Sequence, residues 1–173
     1  MTSGRLTPPT PITDGHDVDT FDCGVVTLND WLKKRAVKND LSGASRTYVL
    51  REDEVVIGYY CLSTGAVDHD DAPGFLRRNM PDPIPVLVLG RLAVDRRHQN
   101  RGIGHALLRD VVRRALQVAE MAGVVAVLVH ALSEPARCFY QSCGFVEMPS
   151  QPTTLFLMLH TAHQTGVLPL RNG

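Results

Sequence analysis

The chain has 173 residues, 44% of them hydrophobic, which suffices for one core in a domain of ordinary size and asks for no second domain. Lysine plus arginine and aspartate plus glutamate balance at 18 each, so net charge excludes a polycation that binds nucleic acid through its overall field, and any basic surface must come from local clusters. No apolar run reaches the roughly 18 residues of a membrane span and the first residues lack a signal core, so a cytoplasmic protein with no membrane partner is expected.

Residues 1 to 20 are rich in Thr, Pro and Asp. They supply a short edge strand at most, because the Pro8-Pro9 pair excludes a helix. Thr27-Leu-Asn-Asp30 has the spacing of a helix start, with Thr27 expected to accept from a backbone N–H and Asp30 to sit in the first turn. Trp31 on that helix reads as a core anchor, and Lys33, Lys34, Arg35 and Lys38 give it a basic face. Ser45 to Arg51 and Val55 to Thr64 are β-rich runs around Glu52-Asp53-Glu54, which predicts an antiparallel hairpin. Asp68 to Pro73 breaks the sheet, Phe75 to Met80 carries Arg77 and Arg78 on a short helical turn, and Pro81, Pro83 and Pro85 lead into the apolar strand Val86 to Val94.

A glycine-containing loop, Gln99-Asn-Arg-Gly-Ile-Gly104, separates that strand from a helix whose apolar residues recur as Ile103, Leu107, Val111, Ala115 and Val118. Gly102 and Gly104 allow close backbone approach, and the first N–H groups of the helix point partial positive charge at the same place, so the loop is a candidate anion site for a pyrophosphate. Gly123 ends the helix. Val124 to Val129 reads as a buried strand beside the one before the loop. Ser133 is placed to cap a short helix with an early proline, ending at Gly144 and carrying Tyr140. Phe145 to Met148 and Thr154 to His160 predict a closing hairpin, and residues 161 to 173 a loose tail.

Cys23, Cys61, Cys138 and Cys143 fit no metal-ligand spacing and are expected as reduced thiols. His98, His105, His130, His160 and His163 are open as bases or ligands, but none has a metal spacing with carboxylates or cysteines, and no metal is assigned.

Leu-Gly-Arg-Leu-Ala-Val-Asp followed by Gln99-x-x-Gly102-x-Gly104 resembles the acetyl-coenzyme A loop of the GNAT N-acetyltransferase superfamily. The resemblance implies a mixed α/β fold: one domain over 1–173 with loosely ordered ends, whose six- to seven-stranded mixed sheet is splayed between strands four and five and flanked by helices. It implies that acetyl-CoA pairs its pantetheine with the backbone of Leu92, Ala93 and Val94, and lays its pyrophosphate on Gln99, Asn100, Arg101, Gly102, Ile103 and Gly104. Arg96, Arg97 and Arg101 are further candidates for the phosphates. Tyr140 matches the superfamily tyrosine that protonates the departing thiolate. A phenol near pKa ~10 is protonated at neutral pH, as that role requires.

Val86 to Val94 contains no acid to serve as general base. A lysine amine near ~10.4 is about 0.04% neutral at pH 7, whereas an α-amine near ~7.7–8.0 is roughly 10–15% neutral, so an α-amine can lose its proton to water or a carbonyl. Phe-Asp-Cys-Gly, Leu-Asn-Asp-Trp-Leu, Ser-Arg-Thr-Tyr-Val, the proline-led central strand and Val-His-Ala-Leu-Ser together look like the GNAT toxins of type II toxin–antitoxin modules, from about Phe21 to Leu159. That resemblance implies acetylation of the α-amine of aminoacyl-tRNA, a block of translation, a ribbon-helix-helix antitoxin and a homodimer. Arg77, Arg78 and Arg91, with the basic helix face, are candidates to border the tRNA groove. Acetylation of a small amine or a protein N-terminus, and a non-catalytic acetyl-CoA-binding or antitoxin-binding module, remain alternatives.

Overall fold

The computed structural model describes residues 4–160. Seven strands form one sheet in the order β1-β2-β3-β4-β5-β7-β6, which is the mixed α/β architecture expected. Its members are β1 (Leu6–Pro11), β2 (Arg46–Glu52), β3 (Val55–Val67), β4 (Ile84–Val94), β5 (Ala126–His130), β6 (Val146–Met148) and β7 (Gln151–Met158), with helices α1 (Val26–Lys34), α2 (Ala36–Ser42), α3 (Gly74–Arg77), α4 (Ile103–Ala122) and α5 (Glu134–Ser142). The chain divides into two compact units, Met1–Ser63 with Gly90–Asp110 and Thr64–Leu89 with Val111–Gly173. The expected tail, with His163, lies outside the described residues, in which no helix is long and apolar enough to cross a membrane.

In the first unit β1, β2 and β3 are successive antiparallel neighbours. Pro8 and Pro9 fit β1 because it is an edge strand, where a missing N–H breaks no second ladder. The β2–β3 pair is the predicted hairpin, and Asp53 turns its corner at φ +53°. Phe21, Trp31, Leu32, Ala36, Val49, Val56 and Tyr59 make the core. Trp31 is the anchor it was expected to be, its ring stacked on Tyr59 with centroids 5.9 Å apart.

The start of α1 departs from expectation. Its N-cap is Val25, with no side-chain cap, so Thr27 lies inside the first turn and caps nothing. The preceding turn is closed instead by Asp22 and Asn29: Gly24 N–H and Asn29 Nδ2 donate to Asp22 Oδ1, at 2.9 and 3.0 Å. Arg35, at φ −126° and ψ −25°, then separates α1 from α2. The basic face is therefore shared between two helices.

In the second unit β4 pairs in parallel with β5 through Leu87–Leu89 and Val127–Val129 only, while β4 itself runs on to Val94. The strand before the loop and the β-branched strand are thus neighbours, as their apolar composition suggested. β7 is antiparallel to both β5 and β6. Val67, Leu76, Ile84, Val86, Ala126, Leu128 and Phe156 form the core of this unit. Ser133 caps α5 by accepting from Ala136 N–H at 3.2 Å, and all four cysteines are free thiols.

Gly58 on β3 sets how closely α4 begins to pack. A Cβ there would meet Leu107 Cδ1 at 3.1 Å, Ala93 O at 3.5 Å and Ile103 Cγ2 at 3.6 Å. Gly58→Val adds two further methyls in that space, and overpacking of this kind costs about 1–3 kcal/mol. Thermal unfolding is expected to show a lower Tm for Gly58→Val; an unchanged Tm would mean the helix start has room that the packing does not show.

Candidate functional site

The loop after β4 is built on a buried carboxylate. Asp95 is 0% exposed, and its own N–H donates to Ile57 O at 2.8 Å, tying the strand end to β3. Asp95 Oδ1 accepts from Arg97 N at 2.9 Å and Nε at 3.0 Å. Oδ2 accepts from Arg97 Nη2 at 3.1 Å and from Asp22 N at 3.0 Å. Asp22 answers through its carbonyl, which accepts from Arg96 N at 2.8 Å, and through its carboxylate, 2.8 Å from Arg96 Nη2. Gln99 Nε2 donates to Cys23 O at 3.1 Å and Val94 O at 2.9 Å. The segments 20–24 and 95–99 are in this way laced into one support.

On that support sits the predicted anion loop. Asn100 and Gly102 are left-handed, at φ +63° and +80°. Gly102 has nothing within 4 Å of its missing Cβ, so its backbone faces open space in a conformation that L side chains rarely adopt. The 20-residue α4 starts at Ile103. Ala106 N–H donates to Gly102 O, which leaves the N–H groups of Ile103 and Gly104 ahead of the helical ladder. Successive N–H groups at a helix N-terminus suit a pyrophosphate.

Several predicted residues turn out to have other duties. The Gln99 side chain is spent on two carbonyls, so only its backbone is left for a ligand. Arg96 and Arg97 are paired with Asp22 and Asp95 and brace the loop. Arg101 is exposed and makes no ion pair among the described residues. Leu92, Ala93 and Val94 are the last three residues of β4, with Ala93 buried. Arg91, on the same strand, holds its guanidinium 4.3 Å over the Trp31 ring, a cation–π contact that fixes its direction.

In the second unit α5 carries Tyr140, 6% exposed, with ring centroids 5.3 Å from Phe139 and 5.4 Å from Phe145. Two other buried tyrosines spend their hydroxyls on protein: Tyr59 donates to Leu28 O at 2.7 Å and Tyr60 to Asp110 Oδ2. Among the described residues nothing hydrogen-bonds the Tyr140 hydroxyl. Burial raises its pKa above the ordinary phenol value, with the neighbouring Cys143 adding to the rise, so it stays a neutral donor across the physiological range. The ring is buried while the hydroxyl is uncommitted among the described residues, an arrangement compatible with a proton donor. Arg77 and Arg78, at the end of α3, are exposed and form no ion pair among the described residues.

His16, His69, His98 and His130 have structural partners. His98 lies 3.5 Å from Glu52 and 3.7 Å from Asp95, His130 Nδ1 is 2.9 Å from Thr154 Oγ1, and His16 and His69 brace turns through Thr13 and Met80. Among the described residues no group of three His, Cys, Asp or Glu is placed to hold a metal ion.

Sequence reasoning passed over Asp22 and Asp95 as site residues. The available signal was an aspartate at the end of an apolar strand: an acid there needs buried donors, and Arg96 and Arg97 follow it directly.

Residues 43–147 match the acetyltransferase (GNAT) domain family. This is more than half of the chain, and the protein belongs to that family. It is 48% identical over 154 residues to the tRNA-acetylating toxin of Mycobacterium tuberculosis, covering 89% of this chain and 93% of that protein. Its fold is similar to the structure of AtaT complexed with acetyl-methionyl-tRNAfMet, with a TM-score of 0.86 at 28% identity over 94% of this chain and 99% of that one. A tyrosine-to-phenylalanine mutant of AtaT, bound to acetyl-CoA and the C-terminus of the antitoxin AtaR, is likewise similar, with a TM-score of 0.80 at 28% identity over 93% and 98% of the two chains.

Burial alone would raise the Asp95 carboxyl, but the Arg97 guanidinium and N–H and the Asp22 N–H outweigh it and hold it well below the usual carboxylate range. A depressed pKa makes this contribution to stability complete above the unfolded value near ~3.9 and lost as pH falls through the folded one. Asp95→Asn should therefore lower stability on the order of 3 kcal/mol at pH 7. The gap to wild type, read from denaturant midpoints, should hold down to about pH 4 and narrow below it. A gap that widens toward acid would contradict the charge-based account.

Proposed function

We propose that the protein is an acetyl-CoA-dependent N-acetyltransferase that acetylates the α-amine of an amino acid carried on tRNA, and so acts as a toxin by blocking translation. The observation that carries this reading is the pairing of an anion-ready loop at the start of α4 with 48% identity to a tRNA-acetylating toxin over 89% of the chain. Leu92, Ala93 and Val94 offer strand backbone to the pantetheine, and the backbone of Gln99 through Gly104 holds the pyrophosphate. Arg101 is available to the phosphates. When bound, acetyl-CoA supplies an acyl thioester, whose C–S bond breaks as the C–N bond to the amine forms.

Tyr140 gives its hydroxyl proton to the departing thiolate sulfur and is reprotonated by solvent. The amine needs no side-chain base, because an aminoacyl ester amine is more acidic than the ~10.4 of a lysine and is partly neutral at pH 7, leaving water to take its proton. Arg77, Arg78 and Arg91, with Lys33, Lys34 and Lys38, are the cations for the phosphate backbone of tRNA. A ribbon-helix-helix antitoxin and a second copy of this chain are the partners, and the enzyme works in the cytoplasm, where charged tRNA is used.

Labelled acetyl should pass from acetyl-CoA to charged tRNA and not to uncharged tRNA, with apparent tRNA affinity falling steeply with salt. Tyr140→Phe should lower turnover about 10²-fold or more while coenzyme binding by calorimetry stays near wild type. Gly102→Asp should abolish coenzyme binding in a folded protein, and changing Arg77 and Arg78 together should raise KM for tRNA alone. Inert charged tRNA alongside efficient acetylation of a polyamine or a peptide N-terminus would overturn the toxin reading.

A further inference from the structure

The helix that presents Tyr140 is too short to hold itself. α5 has nine residues, below the roughly 12–15 at which an isolated helix becomes marginal in water. Its Ser133 cap sets where it begins but not how it is rotated about its axis. The Tyr140 hydroxyl has no protein partner among the described residues, so the direction of the ring follows from that rotation and from its contacts with Phe139 and Phe145.

One side chain outside the helix addresses the rotation. Glu147 Oε1, on β6, accepts from Arg137 Nε at 2.7 Å, from Arg137 Nη2, and from Gln141 Nε2 at 2.7 Å. Arg137 and Gln141 are four residues apart, hence on one face of α5, and they bracket Tyr140 in sequence. Glu134 Oε2, one turn earlier, is 3.2 Å from Arg137 Nη1 and pre-aims the guanidinium. β6 is in turn registered on β7 through Glu147↔Leu155, and β7 on β5. The clamp thus refers the helix to the sheet.

We propose that Glu147 is a positioning residue for Tyr140: its carboxylate pins the Arg137 and Gln141 face of α5 and so fixes the direction in which the Tyr140 hydroxyl points. This rests on the reading of Tyr140 as proton donor. Proton transfer needs heavy atoms about 2.6–3.2 Å apart, and a misplacement of about 1 Å can cost on the order of 10²-fold in rate. A loosened clamp should therefore act on turnover rather than on coenzyme binding.

The test is a double-mutant cycle on acetyl transfer to charged tRNA, with coenzyme A thiol release read independently and Tm recorded for each protein. Glu147→Gln should lower kcat about tenfold with KM for acetyl-CoA within about twofold, and in a Tyr140→Phe background the same change should cost less than about twofold. Gln141→Leu removes one donor, keeps the ion pair and should move kcat in the same direction by less, which covers the case of a Glu147 variant that fails to fold. If Tyr140→Phe lowers kcat while neither clamp variant does, or if Glu147→Gln costs the same in both backgrounds, the positioning role is overturned and Tyr140 stands. Wild-type turnover in Tyr140→Phe would overturn the reading of Tyr140 itself, and with it this one.

Discussion

Everything around the glycine loop of this protein hangs on a carboxylate with no exposed surface. A buried charge costs several kcal/mol unless its lone pairs are filled, and Asp95 fills them with three N–H groups of Arg97 and one of Asp22. The requirement is demanding enough to select one arrangement of both segments. Asp22 must present its N–H, which fixes the turn before α1, and Arg97 must fold back, which fixes the 3-10 turn Arg96–His98 after β4. What emerges is a chain direction at Gln99 that delivers Asn100 and Gly102 in left-handed conformations to the start of α4. The polar hub and the open glycine loop are two ends of one constraint.

The same economy explains why so few of the loop's charged side chains remain for a ligand. Arginines before a phosphate-binding helix invite assignment to the phosphate, yet Arg96 and Arg97 already have carboxylate partners at 2.8 and 3.0 Å. A guanidinium bridging to a fixed acid would surrender that bond to reach a ligand, with no net gain in paired charge. Backbone N–H groups at a helix start carry no such competing obligation and lose no side-chain entropy on binding. A site made of main chain on a braced support is preorganised, and preorganisation is where affinity for a small anion is found.

How much of this was legible from residues alone follows from the range of each interaction. Periodicity is local, so α4, the β2–β3 hairpin and the closing β6–β7 pair were readable, and the glycine spacing marked the loop in which Gly102 is left-handed. The Ser133 cap was equally visible because its acceptor and donor lie three residues apart. Thr27 misled for the same reason: capping spacing is a local pattern, but the turn before α1 is claimed by Asp22, whose other bonds go to Arg96 and Asp95, 73 residues away in the case of Asp95. A distant partner outcompeted a local one. The break at Arg35 has no such signature in sequence, since Lys-Lys-Arg-Ala-Val-Lys would continue a helix on propensity alone.

Tyr140 shows what a resemblance adds and what only packing can supply. A motif can name the residue type at a position, but a tyrosine on a short helix with its ring between two phenylalanines is also an ordinary core residue. What separates the two is the fate of the hydroxyl. Tyr59 and Tyr60 satisfy theirs within the protein, as burial demands, whereas that of Tyr140 stays uncommitted among the described residues. The chain then has to hold the ring from its backbone side, and that work falls to α5, whose polar face is pinned by a carboxylate on the edge strand. With Tyr140 as the proposed proton donor, the edge of the sheet would thereby take part in setting where the proton is delivered.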